Sequence, residues 1–238
     1  MKFFCVSDLH GNYKALVNSL KEKGFDYKND DHTLLILGDL FDRGTENTQL
    51  WNFVNKLAKN ESLIFIRGNH DNFFIDFLRY ENSNKFLFNV EKNGFGETIK
   101  SFSGIDPVDL NSIKQASEIT KKNYEGILEF FHNTKYYFET ENYIFVHAGI
   151  NTEIDDWKET SVKEFTWMKD FYEKDITNTN KIVVFGHVNT ILLNEKLISV
   201  KEMDHEHAIW YGKQKIGIDG KAYKTSKVNV LIIEDELL

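Results

Sequence analysis

The chain has 238 residues, 41% hydrophobic and 28% charged, which is typical of a globular protein long enough to bury a core. Its net charge of −8 argues against general nucleic-acid binding, which depends on lysine and arginine contacts to phosphate. No apolar run approaches the roughly 20 residues that span a bilayer, and the amino terminus lacks the apolar segment of a signal peptide. We therefore expect a cytoplasmic protein that binds neither nucleic acid nor membrane; the oligomeric state is left open.

The first third of the chain alternates strands and helices. Apolar runs predict strands at 2–7, 33–37 and 63–66, and amphipathic patterns predict helices at about 12–24, 46–59 and 72–80. This alternation indicates parallel strands in a layered α/β fold. The single cysteine, Cys5, lies in the first apolar run, so we expect a buried structural thiol rather than a nucleophile.

The rest of the chain changes pattern. Residues 81–134 are largely helical by spacing, and we expect them to form a helical cap or flank rather than an independent domain. Further strands are predicted at 136–139, 143–146 and 181–185, with a helix at 161–174. The remainder, about 190–238, predicts short strands in antiparallel hairpins, of which Lys227–Glu234 is the clearest. No linker is evident, so residues 1–238 are expected to form one domain.

Five apolar runs end in residues that can bind a metal ion. The residues are Asp8 and His10, Asp39, Asn69, His147, and His187. Strands that lie side by side would bring these ends to one rim of the sheet, and in an extended segment Asp8 and His10 would point to the same face. A single histidine after a strand is more often structural, but six oxygen and imidazole donors at five strand ends indicate a shared site.

The donor types indicate which ions would fit. Carboxylate, amide and imidazole suit Mn, Fe, Zn or Co, and the thiolates of a structural zinc site are absent from this set. Six donors are too many for one ion that keeps open positions, but they suit two ions that share a carboxylate. Asp39, central in the order, is the candidate bridge. Two ions about 3.5–4 Å apart can clamp a phosphoryl group for in-line attack.

Five ordered motifs resemble those of the metallophosphoesterases, specifically the phosphoprotein phosphatase family in its compact bacterial and phage form. They are Asp8-Leu9-His10-Gly11, Gly38-Asp39-Leu40-Phe41-Asp42-Arg43-Gly44, Arg67-Gly68-Asn69-His70-Asp71, His147-Ala148-Gly149 and Gly186-His187. Order and spacing agree across about residues 1–190, and Ile218-Asp219-Gly220 is similar to a later motif of the family. The resemblance implies an α/β (α+β) fold with a β-sandwich core flanked by helices.

The resemblance also implies a set of metal ligands. One ion would be held by Asp8, His10 and Asp39, and a second by Asp39, Asn69, His147 and His187. Two divalent ions are therefore the expected cofactors, with Mn²⁺ foremost and Fe, Zn, Co or Ni as alternatives.

Further residues acquire expected roles by the same resemblance. His70 would act as the general acid, with Asp42 orienting its ring and favouring the protonated form. Arg43 would bind the non-bridging phosphate oxygens. Many relatives carry a second arginine where this chain has Lys169, so Lys169 either serves as a weaker phosphate contact or is misaligned. Arg67 is expected to be structural. Asp71 is expected to cap the helix that begins there.

The leading hypothesis is a serine/threonine protein phosphatase in which a metal-bridging hydroxide attacks phosphorus directly. The alternatives are a bis(5'-nucleosyl)-tetraphosphatase, a phosphodiesterase, and a catalytically silent binding module. Its partner would be a phosphoprotein or a small phosphorylated substrate. Metal ligands contact only the phosphoryl group, so they do not distinguish among these substrates. We expect segment 81–134 and the carboxy-terminal strands to determine which substrate is used. Phe41, which precedes Asp42-Arg43-Gly44, favours the protein phosphatases slightly.

One further cluster lies outside these motifs. His205 and His207, in Asp204-His205-Glu206-His207, could form an extra metal site, although a solvated loop is the favoured interpretation.

Overall fold

Two β-sheets pack face to face in the computed structural model, which describes residues 1–195 and 207–238. The first sheet contains β1 (Lys2–Val6), β2 (His32–Ile36), β3 (Leu63–Phe65) and β9 (Leu231–Glu234), in the order β3-β2-β1-β9. The strands β1, β2 and β3 are parallel, and β9 pairs antiparallel with β1. The predicted β-α-β-α-β alternation and its parallel pairing are confirmed.

The second sheet contains the strands from the later part of the chain. They are β4 (Tyr137–Glu139), β5 (Tyr143–Val146), β6 (Ile182–Phe185), β7 (Trp210–Gly212) and β8 (Lys215–Gly217), in the order β4-β5-β6-β8-β7. The central strands β5, β6 and β8 are parallel, whereas β4 and β7 pair antiparallel at the edges. Their central position explains why β5 and β6 are apolar along almost their whole length.

Ten α-helices lie outside the sheets in the described part of the chain. They are α1 (Tyr13–Glu22), α2 (Asn47–Lys59), α3 (Asn69–Arg79), α4 (Phe86–Lys92), α5 (Phe95–Ser103), α6 (Leu110–Asn123), α7 (Ile127–His132), α8 (Val162–Trp167), α9 (Thr190–Glu195) and α10 (Ala222–Thr225). The helices that the structure describes are all too short or too polar to cross a bilayer.

The core between the sheets is made of side chains that both sheets contribute. Phe3, Cys5 and Leu35 of the first sheet pack with Val184 and Ile216 of the second. Cys5 is fully buried and burial raises its thiol pKa, which confirms the expected structural thiol.

The helical segment 81–134 packs on the outer face of the first sheet. Its helices α4 to α7 contribute Phe86, Phe95, Ile99 and Phe131 to the same apolar cluster that contains Leu34 of β2. Sharing that cluster makes the segment a flank of the sandwich. The mixed α/β fold with flanking helices is as predicted from the sequence.

Three details differ from the predictions. The predicted helix at 161–174 ends at Trp167, because Met168 adopts an extended conformation and buries its side chain; only one 3-10 turn follows, at 171–173. Among the described carboxy-terminal residues, only β7 and β8 form the predicted kind of hairpin, whereas β9 is short and joins the first sheet. Two short helices, α9 and α10, were not predicted. His205 lies outside the described residues.

Asp235 ties the two sheets together just after β9. Its carboxylate accepts hydrogen bonds from the Thr140 hydroxyl (2.7 Å), the Asn142 backbone N–H (2.9 Å) and the Asn142 side-chain amide (2.8 Å), all in the turn between β4 and β5. Burial opposes the charge of Asp235, but these donors hold its pKa below the ordinary value. The contribution to stability is therefore present above the unfolded pKa of about 4 and is lost as the pH falls through the lower folded pKa.

We expect Asp235→Ala to lower the free energy of unfolding by about 1–2 kcal/mol at pH 7, since hydrogen bonds to a charged group are lost from a partly exposed site. The difference from the wild type should shrink at pH 3. Urea denaturation at both pH values measures it, with the exposed neighbour Glu236→Ala as the matched control. An equal loss of unfolding free energy in both variants would contradict the stabilising role of the Asp235 hydrogen bonds.

Candidate active site

The polar residues at the strand ends converge at one end of the sandwich. Ligand atoms of His10, Asp39 and His70, here called the first cluster, all lie within 4.8 Å of one another. The same is true of Asp39, His147 and His187, the second cluster. Asp39 belongs to both, which is the arrangement that two ions sharing one carboxylate require.

Asn69 and Asp8 lie at the margins of these clusters. The side-chain oxygen of Asn69 is 3.0 Å from His147 Nε2, so it faces the second cluster. The Asp8 carboxylate accepts hydrogen bonds from the Ser7 hydroxyl and from the His187 backbone N–H, the latter at 2.9 Å. In this arrangement the compact first cluster contains His70 in the place where the family resemblance leads us to expect Asp8.

The loop backbones that carry these residues are unusual. Asp8, His10, Asp39, Asp42, Arg43 and His187 all have positive φ angles, between 44° and 75°. They are half of the twelve such non-glycine residues in the described part of the chain. The segment with Asp8 and His10 is therefore not extended, contrary to expectation; left-handed turns direct the two side chains instead. Such conformations cost about 1–3 kcal/mol each and typically cluster at functional sites.

Two carboxylates hold the loop after β2 against the first turn of α3. Asp71 accepts hydrogen bonds from the backbone N–H groups of Gly68 (2.7 Å), Asp39 (3.0 Å) and Leu40 (3.1 Å). Asp39 returns the contact, since its Oδ1 accepts from the His70 N–H at 2.9 Å. Asp71 was expected to cap a helix beginning beside it, but α3 begins earlier, at Asn69. Asp71 is therefore the third helical residue, where it binds the N–H of Gly68 before the helix and also fixes the neighbouring loop.

Gly38 allows these two loops to approach. It has a φ of +83°, and a Cβ atom on it would lie 2.5 Å from the backbone nitrogen of Gly68. Any larger residue would therefore be strained and would also separate the loops.

Backbone carbonyls fix the histidine tautomers. His10 Nδ1 lies 2.8 Å from the Phe41 carbonyl oxygen, and His147 Nδ1 lies 2.7 Å from that of Leu37. A carbonyl can only accept, so both Nδ1 atoms carry the proton and both Nε2 atoms offer a lone pair to the site. Among the residues that the structure describes, none provides a hydrogen-bond partner for the buried His187 Nε2.

The electrostatics favour a bound cation. Burial lowers the pKa of His10 and of His187, and neighbouring histidines lower both further, so the rings are neutral and able to ligate. Burial raises the pKa of Asp39, and the nearby Asp8 and Asp71 carboxylates raise it further. Divalent ions would relieve this repulsion. The donor set therefore fits the two ions that were expected from the sequence.

A hydrogen-bonded chain runs from the helical flank to the site. His70 Nδ1 lies 2.6 Å from Asp42 Oδ2, and Asp42 Oδ1 accepts from the Thr98 hydroxyl at 2.6 Å. The Thr98 oxygen also accepts from the Asp42 N–H at 2.9 Å. Burial raises the pKa of Asp42 to about 7, although the Thr98 hydrogen bond and the charge of Arg43 oppose the shift. Helix α5 thereby supports the group that orients His70.

Arg43 faces the first cluster from the same loop. Its Nη1 lies 2.6 Å from His10 Nε2, and its Nη2 lies 3.1 Å from His70 Nε2. The Gly94 carbonyl accepts the Arg43 N–H at 3.1 Å, and the guanidinium lies 4.7 Å from the centre of the Tyr223 ring. The guanidinium is thus held over the site between the helical flank and α10.

Residues of both clusters open into a cleft of about 400 Å³. Lys169 lines it, and its positive charge contributes to the lowered pKa of His187. Trp167, Tyr223 and Asp219 also line it. Arg67 points elsewhere, because its guanidinium donates hydrogen bonds to the hydroxyls of Thr134 and Tyr136, as a structural residue would.

Comparison with known families agrees with this geometry. The family profile described as calcineurin-like phosphoesterase matches residues 1–216. The chain belongs to this family.

The related sequences are distant. A bis(5'-nucleosyl)-tetraphosphatase PrpE [asymmetrical] of Bacillus velezensis is 25% identical over 173 residues, which cover 69% of this chain and 63% of the relative. A symmetrical bis(5'-nucleosyl)-tetraphosphatase of Buchnera aphidicola is 30% identical over 164 residues, covering 57% and 58%. The chain thus matches less than two thirds of either relative's length. A crystal structure of a candidate diadenosine tetraphosphatase superposes with a TM-score of 0.60 at 17% identity, covering 98% and 89%, which shows a shared fold.

Four residues of this phosphoesterase site carried no assigned role from the sequence. Asp219 follows β8 as the predicted ligands follow their strands, and it is buried near Asp8, with a pKa that burial and Asp8 raise. Its strand-end position was a usable signal. Thr98, Gly94 and Tyr223 come from helices and loops whose contacts with the site no local pattern reveals.

We expect Thr98→Val to lower the free energy of unfolding by about 1–3 kcal/mol, because the buried Asp42 loses two hydrogen bonds to a hydroxyl. Thr98→Ser should retain most of the stability. Thr120→Val is the control, since the Thr120 hydroxyl is also buried and bonds the Ala116 carbonyl of its own helix. Chemical denaturation measures all three. Similar losses at both threonines would contradict a special role for Thr98.

Proposed function

We propose that the protein is a dinuclear-metal hydrolase that cleaves dinucleoside polyphosphates. The observation that carries the hydrolase assignment is Asp39, which is shared by two clusters of imidazole and carboxylate donors, with Arg43 beside His70 of the first cluster. The names of the curated relatives support the substrate class.

The proposed ion ligands are those expected from the sequence: Asp8, His10, Asp39, Asn69, His147 and His187. When bound, two divalent ions supply Lewis acidity toward phosphoryl oxygens and lower the pKa of water. Manganese is our first choice among them, because imidazole and carboxylate together suit a borderline-hard ion.

Arg43 and Lys169 are proposed to bind the phosphate chain. The guanidinium of Arg43 presents a planar pair of donors toward the first cluster, and such a fork matches two phosphate oxygens. Lys169 is exposed at the cleft, where it adds charge without bidentate geometry. Together they would orient one phosphoryl group beside His70.

His70 is proposed to protonate the leaving oxygen, but its charge state differs from our expectation. Burial lowers its pKa, and Arg43 and His147 lower it further, so the ring is neutral despite its contact with Asp42. A bound phosphate would bring negative charge beside Nε2 and draw the Arg43 donors away from it. Both changes raise the pKa of His70, so protonation would accompany substrate binding.

Phe41, the sequence feature that favoured a protein phosphatase, does not support that choice once its position is known. Phe41 is buried and packs against Phe74 and Phe102, with ring centres 4.8 and 5.0 Å away. A side chain inside the aromatic core cannot select a substrate at the cleft. Phosphoprotein therefore becomes the second candidate substrate, and a phosphodiester the third.

We expect the Mn²⁺-loaded protein to hydrolyse diadenosine tetraphosphate with a kcat/KM roughly a hundredfold above that for phosphoserine peptides or bis(p-nitrophenyl) phosphate. Steady-state assays with all three substrates measure this preference. Preference for the peptide would support the protein phosphatase instead.

The control for this experiment is metal content. Treatment with EDTA should abolish turnover and Mn²⁺ should restore it, with two ions bound per chain by elemental analysis. If none of the three substrates is turned over when both ions are bound, the hydrolase proposal is wrong.

The role of His70 makes a separate prediction. His70→Ala should lower kcat about a hundredfold for alkyl phosphates, which need a protonated leaving group, and less than about tenfold for p-nitrophenyl phosphate. Kinetics across a series of monoesters give the dependence on leaving-group pKa. Equal losses for all esters would show that His70 acts in some way other than as the acid.

A further inference from the structure

Three apolar side chains line the cleft, although the clusters that open into it are polar. Trp167 and Leu192 line the cleft with 40% and 52% of their surface exposed, and the buried Val188 lines it as well. We call these three residues the apolar shelf. The shelf borders the second cluster, since the Trp167 ring centre lies 6.0 Å from that of His187.

The end of α8 explains how Trp167 reaches the cleft. Met168 leaves the helix in an extended conformation and buries its side chain, while its neighbours Trp167 and Lys169 both face the cleft. Phe73 supports the Trp167 ring from the side, with ring centres 6.0 Å apart. The Trp167 ring thus contacts the Phe73 and His187 rings, and the 40% of Trp167 that stays exposed offers an aromatic surface for a ligand.

The neighbouring charges indicate what kind of ligand fits this platform. Lys169 lies two residues from Trp167, and Arg43 faces the same cleft. A ligand that satisfies both the cations and the shelf must join phosphate to a flat apolar ring. In a nucleotide one ribose separates the base from the phosphate. This separation suits the Trp167 ring, which lies next to the second cluster.

We propose that Trp167 is the stacking platform for a nucleobase whose phosphates are held at the clusters. This subsite rests on the proposed function and names the part of the substrate that it recognises. Stacking on an aromatic side chain accepts any base, since every base has a π-face. The subsite therefore selects nucleotides over phosphopeptides without selecting among the four bases.

Equilibrium binding tests the subsite separately from catalysis. AMP and ribose 5-phosphate differ only in the base, and calorimetric titration of the Mn²⁺-loaded protein measures the Kd of each. All proteins would carry His70→Asn to suppress turnover. In this background Trp167→Ala should weaken AMP binding about tenfold, as expected for loss of one stacking contact, and leave ribose 5-phosphate within about twofold. Trp167→Phe should retain most of the AMP affinity.

Two further variants keep the test decisive. Trp167→Leu fills the apolar space without a stacking face, so it should weaken AMP binding as Trp167→Ala does even if the alanine variant folds poorly. Phe88→Ala removes an aromatic ring that is 61% exposed away from the cleft and should leave both affinities unchanged.

The outcomes separate the subsite from the proposed function. Equal weakening of AMP and ribose 5-phosphate, or no weakening of either, would overturn the subsite. Retained base-dependent binding in a protein that hydrolyses only phosphopeptides would support the subsite and reject the proposed substrate.

Discussion

The site depends on one reciprocal contact, in which Asp71 binds the loop after β2 and Asp39 binds the first turn of α3. Because Asp39 Oδ1 accepts the His70 N–H, its Oδ2 is left facing His10, 3.8 Å from Nε2. The two oxygens are thus directed toward different neighbours before any ligand binds. That orientation is what allows one carboxylate to belong to both clusters.

Maintaining this arrangement has a cost that the surrounding core must offset. Six left-handed residues and several buried carboxylates each oppose folding. Directly beneath the loop, Phe41 packs into an aromatic cluster with Phe74 and Phe131. The helical flank adds Thr98 and Gly94 to the support of Asp42 and Arg43. Segment 81–134 therefore contributes to the site mainly by supporting Asp42 and Arg43, and less by covering the cleft.

The sequence predicted the strand ends well because buried strands and the polar residues after them leave a local pattern. The same pattern could have included Asp219, which follows β8. It could not show that the turn through Asp8 and His10 is left-handed, since those angles arise from hydrogen bonds to the β2 loop. Nor could it show that Thr98, 56 residues from Asp42, supplies its hydroxyl. The helix predicted at 161–174 failed because its periodicity continued past Met168, where tertiary burial favoured an extended backbone.

This difference explains why the motifs indicate the reaction more strongly than the substrate. The residues proposed to bind metal lie at strand ends, where the sheet fixes their positions, and through the ions they would contact only a phosphoryl group. Trp167, Lys169 and Tyr223 lie where a helix stops or a short helix begins, and they form the wall that the rest of a substrate would meet. Phe41 belongs to the motif, but its side chain is buried in the core. A phenylalanine at this position therefore reflects core packing and not substrate choice. Substrate choice in this fold should therefore follow the residues around helix ends at the cleft.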